Sequence, residues 1–354
     1  MKTIATKIYK IKGTTASEAI DSEQIYTAGQ IIREGGLVAF PTETVYGLGG
    51  NALDATAAKR IFAAKGRPED NPLIVHLYRS EDAALVAKEI PPIFHLLAEN
   101  FWPGPLTMIL PAADAVPRST TASLETVAVR IPRQRTALAL IEAAGGFVAA
   151  PSANTSGRPS PTTAQHVIDD LEGRVELILD DGDVMIGLES TIIDLTASIP
   201  VLLRPGAISE ADITRAIGMD ISKAPPLAHD SPPLAPGMKY RHYAPHGQMI
   251  LVDGGEEAVV SYINAQIAIY KKRGSRCAVI ADSDTYRRYH ADSVKCVGSH
   301  GDGEAIARNL YRVLRELDDE LTDVIFCEAF TVSGIGAAIT DRLYKAASGR
   351  VIRV

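Results

Sequence analysis

The stretch GGLVAFPTETVYGLGGNALDATAAKRIFAAKGRPEDNPLIVHL, residues 35–77, decides the fold. An apolar strand over residues 37–40 runs into a hydroxyl-rich turn, PTETVYG. A helix over residues 54–65 follows, with Asp54 at its N-cap and Lys65, Gly66 and Arg67 at its end, on what reads as an exposed last turn. A second strand, residues 73–77, carries His76 at its end. Cations, hydroxyls and an imidazole gathered at strand ends mark the usual place of a ligand site in an open α/β sheet.

Outward from this unit, strand-like and helix-like segments alternate, as in α/β architectures. Further strands are expected at residues 106–110, 126–131, 147–150, 175–179, 191–195 and 201–203. Helices are expected at 15–33, 136–144 and 162–171, the last capped by Thr162. Irregular loops between the later strands predict a twisted, mixed open sheet with helices rather than a regular doubly wound one. From residue 224 to 245 the chain reads APPLAHDSPPLAPGMKYRHYAP, a proline-rich, extended linker. Its run Lys239, Tyr240, Arg241, His242, Tyr243 is more than a passive tether needs. Beyond it, strands at 249–252, 277–280 and 324–326 with helices at 256–272 and 305–318 form a smaller α/β unit. The expected domains are therefore residues 1–215, 216–246 and 247–354.

With 354 residues, 46% of them hydrophobic, the chain can bury a sizeable core in two domains. The net charge of −7 argues against a nucleic-acid coat. Residues 1–210 hold 18 basic against 25 acidic side chains, and the remainder is balanced at 18 and 18. Lys65, Arg67, Arg130 and Arg204 thus stand in an acidic domain, where they serve one anionic ligand better than a long polyanion. The three cysteines show no CxxC spacing, so neither a disulfide framework nor a zinc site is indicated, and a reducing, cytoplasmic setting fits. No apolar run approaches a membrane span.

Each polar constellation has a plain alternative. Lys65 and Arg67 at a helix C-terminus oppose the dipole without further role. Thr42 and Thr44 are ordinary turn hydroxyls in many proteins. In VAAPSANTSGRPSPT, residues 148–162, small hydroxyls and backbone N–H groups can cradle phosphate or ribose oxygens, although turns use the same residues. Arg130 ends VAVR, Glu189-Ser190-Thr191 opens STIIDL, and Arg204 lies in LLRPG. GxxxxGK[ST], GxSxG and a credible GxGxxG are all lacking. The pattern suits holding anions, not forming a covalent enzyme intermediate.

Taken together, PTETVYGLG (41–49), KGRP (65–68), NPLIVH (71–76), FWPGPLT (101–107), VAVRIP (127–132), APSANTSGRPSPT (150–162), GLESTIID (187–194) and LLRPG (202–206) resemble the YrdC/Sua5 family of threonylcarbamoyl-AMP synthases. APGMKYRHYAP (235–245) and the appended domain make the chain similar to the longer Sua5 type. The resemblance implies a YrdC-like sheet plus a smaller, Rossmann-like Sua5 domain. It implies condensation of L-threonine, bicarbonate and ATP to threonylcarbamoyl-AMP and pyrophosphate, for N6-threonylcarbamoyladenosine in tRNA. By the same resemblance Thr44, His76, Arg130, Ala150 and Ser190 hold threonine. Lys65, Arg67, Asn71, Thr126, Ser152, Asn154, Ser160, Arg204 and Tyr240 hold ATP, with Lys65 and Arg67 central to catalysis. Mg²⁺ is expected on the ATP phosphates, with no dedicated protein metal site. Transient contact with tRNA or a tRNA-modifying transferase complex is implied, and no membrane. The tyrosine-bearing linker is expected to act as a lid. Two other classes compete: an RNA-binding module, disfavoured by the acidic first domain, and carbamoyl transfer to another acceptor, whose extra modules are not readable here.

Overall fold

Asp54 begins its helix as its position in the sequence demands. In the computed structural model, which describes residues 4–11, 22–225, 233–238 and 242–354, its side chain accepts the Thr56 N–H and Gly66 ends the helix in the left-handed region at φ 60°. The first unit's opening elements are β1 (Lys7–Lys10), α1 (Ser22–Arg33), β2 (Val38–Phe40), β3 (Gly47–Asn51), α2 (Ala55–Lys65) and β4 (Ile74–Leu77). Then come α3 (Ala83–Val86), α4 (Pro92–Phe101), β5 (Leu106–Pro111), β6 (Thr126–Arg130), α5 (Arg135–Ala143) and β7 (Phe147–Ala149). The unit finishes with α6 (Ala164–Leu171), β8 (Leu177–Asp180), β9 (Thr191–Asp194), β10 (Val201–Arg204), α7 (Glu210–Ile217) and β11 (Ser222–Lys223).

Its strands form one sheet in the order β1-β8-β2-β3-β7-β4-β6-β5-β9-β10-β11. The sheet is mixed: β4 and β6 run parallel, whereas β7 lies antiparallel to both β3 and β4. Alternation along β2 shows why both faces are covered. Val38 and Phe40 join the core under α1 and α5, while Ala39 joins the opposite core with Ile61 and Phe62 of α2, Leu97 of α4 and Leu171 of α6.

Several elements depart from expectation. β3, GLGGN, has no apolar period; a Cβ on Gly49 would lie 2.9 Å from the Phe40 ring and from Val148, so close packing demands glycine there. β1 is a largely exposed edge strand of polar sequence. The cap of α6 is Thr163, not Thr162: the helix starts one residue later, and Thr163 Oγ1 accepts the His166 N–H at 3.2 Å. His76 lies inside β4 rather than at its end.

The second unit contains β12 (Gln248–Asp253), α8 (Glu256–Lys272), β13 (Cys277–Ala281), β14 (Ser293–Cys296), α9 (Gly303–Asp319), β15 (Val324–Glu328), α10 (Gly336–Ala346) and β16 (Val351–Arg353). Its five strands are all parallel, in the order β14-β13-β15-β12-β16. Tyr243 is buried here, stacked on Tyr311 at 5.3 Å with the Arg342 guanidinium over its ring. The contact-defined units span Met1–Ser156, Ser160–Met185 and Glu189–Lys239 for the first, and Gly157–Pro159, Ile186–Leu188 and Tyr240–Val354 for the second. Among the described residues no helix is long and apolar enough to cross a membrane.

Asp54→Ala removes the N-cap acceptor of α2 and is expected to cost about 1 kcal/mol in urea unfolding, while Asp54→Asn stays within a few tenths. Equal stability of all three proteins would show that the cap contributes nothing.

Candidate active site

The turn between β2 and β3 is folded by its own hydroxyls. Thr42 Oγ1 donates to the Val45 carbonyl at 2.7 Å, accepts the Thr44 and Val45 N–H groups, and meets Thr44 Oγ1 at 2.8 Å. Thr44 Oγ1 in turn accepts from Arg130 Nη1 at 3.1 Å. Arg130 Nε donates to the Gly104 carbonyl at 3.3 Å, and Nη2 to Glu43 Oε1 at 2.7 Å. The Arg130 and Glu43 side chains are 4% and 3% exposed, so this is a buried ion pair. Glu43 is a buried acid in this group that the motifs do not single out; its only sequence signal is an acid standing inside PTETVYG.

The parallel register of β4 and β6 makes His76 the cross-strand neighbour of Arg130. Burial, reinforced by the Arg130 charge, pushes its imidazole down to about 3, so the ring is neutral. Its Nδ1 lies 3.2 Å from the Ile74 carbonyl, which also accepts the Ala150 N–H at 2.9 Å. Ala150 and His76 therefore share one acceptor residue.

Lys65 is buried, not on an exposed turn. Its Nζ donates to the carbonyls of Ser152 and Asn154 and approaches Asn154 Oδ1 at 3.5 Å. The acceptors are available because the 150–162 loop is sewn to the turn: Leu48 N–H donates to Pro151 O, Ala153 N–H to Tyr46 O, and Tyr46 N–H to Pro161 O. Ser152 Oγ donates to Asn154 Oδ1 at 2.5 Å, so Lys65, Ser152 and Asn154 form one group. Arg67, half-buried, reaches the Asn71 and Pro72 carbonyls at 3.4 and 3.2 Å. Asn71 Oδ1 is a buried acceptor that meets no donor among the described residues. Continuing the β4–β6 register puts Thr126 level with this loop.

A third group forms around Ser190, which contacts Thr107 Oγ1 at 2.8 Å. Arg204 donates to its carbonyl at 3.0 Å and to its hydroxyl at 3.1 Å. Arg204 Nη1 also donates to the Pro236 carbonyl at 3.1 Å, and Ala235 is fully buried, which fixes the start of the APGM segment to this unit. Ser160 Oγ donates to Glu189 Oε1 at 2.5 Å, joining the 150–162 loop to the residue before Ser190. Of the expected residues, Tyr240, with Lys239 and Arg241, lies outside the described residues. Of the others, Arg67 and Asn71 meet within their own loop, Thr126 is placed by strand register, and the rest lie in the groups above; all belong to the first unit.

Residues 30–206 match the Sua5/YciO/YrdC family, described as telomere recombination, and residues 208–348 match the threonylcarbamoyl-AMP synthase C-terminal domain. The chain is similar to the threonylcarbamoyl-AMP synthase of Pyrococcus abyssi, at 49% identity over 339 residues, spanning 95% of this chain and 98% of that protein. It is 45% identical over 332 residues to the Bacillus subtilis protein of the same name, covering 93% and 94%. The crystal structure of P. abyssi Sua5 complexed with L-threonine matches at a TM-score of 0.91 and 47% identity, with 99% of each chain covered.

His76 carries a stability signature. Its folded value lies below the ordinary 6.5, so the unfolded chain takes up the proton first. The contribution is complete above pH 6.5 and is lost as pH falls toward 3, at up to about 1.4 kcal/mol per unit. His76→Gln should flatten the acid limb of a stability-against-pH curve by that slope. Parallel limbs for the two proteins would exclude a buried neutral imidazole.

Proposed function

Because this chain belongs to the two-domain Sua5 family of threonylcarbamoyl-AMP synthases, nucleotidyltransferases of tRNA threonylcarbamoyladenosine formation, we propose that its first unit joins L-threonine, bicarbonate and ATP at the three linked groups. The observation that carries this is the donor inventory of Arg130. A guanidinium has five N–H groups. Three are taken by Gly104, Thr44 and Glu43, leaving one on each terminal nitrogen, the set that grips a carboxylate in bidentate fashion. Threonine's carboxylate would sit there, with neutral His76, Thr44, the Ala150 backbone and Ser190 around it.

The nucleotide side comprises Lys65, Arg67, Asn71, Thr126, Ser152, Asn154, Ser160 and Arg204, with Tyr240 from the linker. The unmatched Asn71 Oδ1 supports this, since a buried carbonyl calls for a donor such as a ribose hydroxyl or an exocyclic amine. Threonine's amine and bicarbonate give a carbamate. One carbamate oxygen bonds to the α-phosphorus as the bond to the bridging oxygen breaks and pyrophosphate leaves. No protein nucleophile is needed; the residues hold two anions in line and offset their repulsion. Mg²⁺ would arrive as the companion of ATP and would supply charge neutralisation on its phosphates. The described residues offer no cluster of three acidic, histidine or cysteine ligands for it, and Glu43 and Glu189 are engaged by Arg130 and Ser160.

Carbamate and mixed anhydride are labile in water, so closure of the linker over the site has a purpose. The anchoring of Ala235 and Pro236 beside Arg204 supports such a lid. Domain limits of 1–215, 216–246 and 247–354, a cytoplasmic location, and transient delivery to tRNA or its modifying transferase belong to the same proposal. Incubation with ATP, Mg²⁺, bicarbonate and threonine, each omitted in turn, should yield the adenylate by mass only in the complete mixture. Adenylate formed without bicarbonate would overturn the carbamate route.

Arg67→Ala should lower adenylate formation about tenfold or more with the fold intact, because a charge-assisted contact is worth about 1.5–3 kcal/mol. Lys65→Ala should lose activity and also loosen the 150–162 loop, seen as faster proteolysis there. Wild-type turnover in Arg67→Ala would remove it from the nucleotide site. L-Serine, lacking the methyl group, should show a kcat/KM about 10–200-fold below threonine. Equal values would contradict a pocket that reads the methyl.

A further inference from the structure

Glu43 is a carboxylate with almost no solvent, and both its oxygens are committed. Oε1 accepts from Arg130 Nη2 at 2.7 Å and Oε2 accepts the backbone N–H of Arg133 at 3.0 Å. One side chain therefore fixes the guanidinium and the chain three residues beyond it. With Gly104 O on Nε and Thr44 Oγ1 on Nη1, Arg130 is held at three points, which determine its plane.

We propose that Glu43 is the positioning residue that aims the two remaining Arg130 N–H groups at the threonine carboxylate. This rests on the reading above that Arg130 receives that carboxylate. Glu43 does not touch substrate; it acts through Arg130. Removing its charge has two opposed effects. The guanidinium gains freedom about its last torsion, which weakens paired, directional hydrogen bonds. The site also gains net positive charge, which strengthens its pull on any small anion. A positioning role and a plain counter-ion role thus predict opposite changes for threonine, while a merely structural role affects both substrates alike.

The test compares Glu43→Gln, Arg130→Ala and the wild-type full chain. Measurements are the KM values for L-threonine and ATP, inhibition by chloride against threonine, and the thermal midpoint. In Glu43→Gln the threonine KM should rise about tenfold, the ATP KM should stay within twofold, and chloride, a spherical anion that needs no paired bonds, should inhibit at lower concentration. A threonine KM unchanged or lowered in Glu43→Gln, with a large rise in Arg130→Ala, overturns the positioning role and leaves Glu43 a counter-ion. Equal rises for both substrates also overturn it, marking a structural defect. If Arg130→Ala leaves the threonine KM unchanged, the reading of Arg130 itself fails. Should Glu43→Gln not fold, Glu43→Asp keeps the charge but is too short to span Arg130 and the Arg133 amide. A threonine-selective rise in that variant supports the proposal, and unchanged KM values for both substrates overturn it.

Discussion

A guanidinium buried without a counter-charge would destabilise a domain of ordinary stability severely, since breaking a buried pair costs about 3–5 kcal/mol out of a total of roughly 5–15. The pairing of Arg130 with Glu43 is therefore the constraint to which the neighbouring segments conform. It requires the turn after β2, the end of β6, the carbonyl of Gly104 and the amide of Arg133 to be in place together. The Thr44–Thr42–Val45 relay then stiffens the turn, and the turn's backbone holds the 150–162 loop. Through Ser152 and Asn154 that loop reaches Lys65 at the end of α2, so the two sides of the site are mechanically continuous.

The two cations of KGRP divide their work. Lys65 spends itself inside the protein, on the carbonyls of Ser152 and Asn154. Arg67, half-buried in the loop before β4, keeps its long side chain beside Asn71. The sequence pattern suggests two equivalent phosphate ligands; in the function proposed above, burial makes Lys65 an organiser of the nucleotide side and leaves Arg67 the more accessible cation.

What could be read from the chain followed local physics. Asp54, Gly66 and the apolar period of α2 are signals within one turn, and fully buried strands such as CAVIA stand out as apolar runs. β3 was hidden because its determinant is the Phe40 ring pressed on Gly49, a contact between strands. β1, β14 and β16 were hidden for the reason that short edge strands carry little apolar pattern. The motif residues of the site were visible as residue types at strand ends and loops. The burial of Lys65, the one-residue shift of the α6 cap to Thr163 and the engagement of Glu43 depend on tertiary geometry, which no spacing encodes.

The neutral imidazole of His76 has a consequence for the proton balance. Converting an ammonium and bicarbonate to a carbamate and water releases one proton for each carbamate made. A ring held at about 3 is some four units too weak to keep that proton at pH 7, and the Glu43 carboxylate is occupied by Arg130 and the Arg133 amide. In the reaction proposed above, acid is thus a third product alongside the adenylate and pyrophosphate, and it must pass to solvent or buffer rather than be stored beside Arg130. With Mg²⁺ in excess, so that pyrophosphate leaves as its magnesium salt instead of taking up the proton, each turnover in a weakly buffered solution would register as a fall in pH.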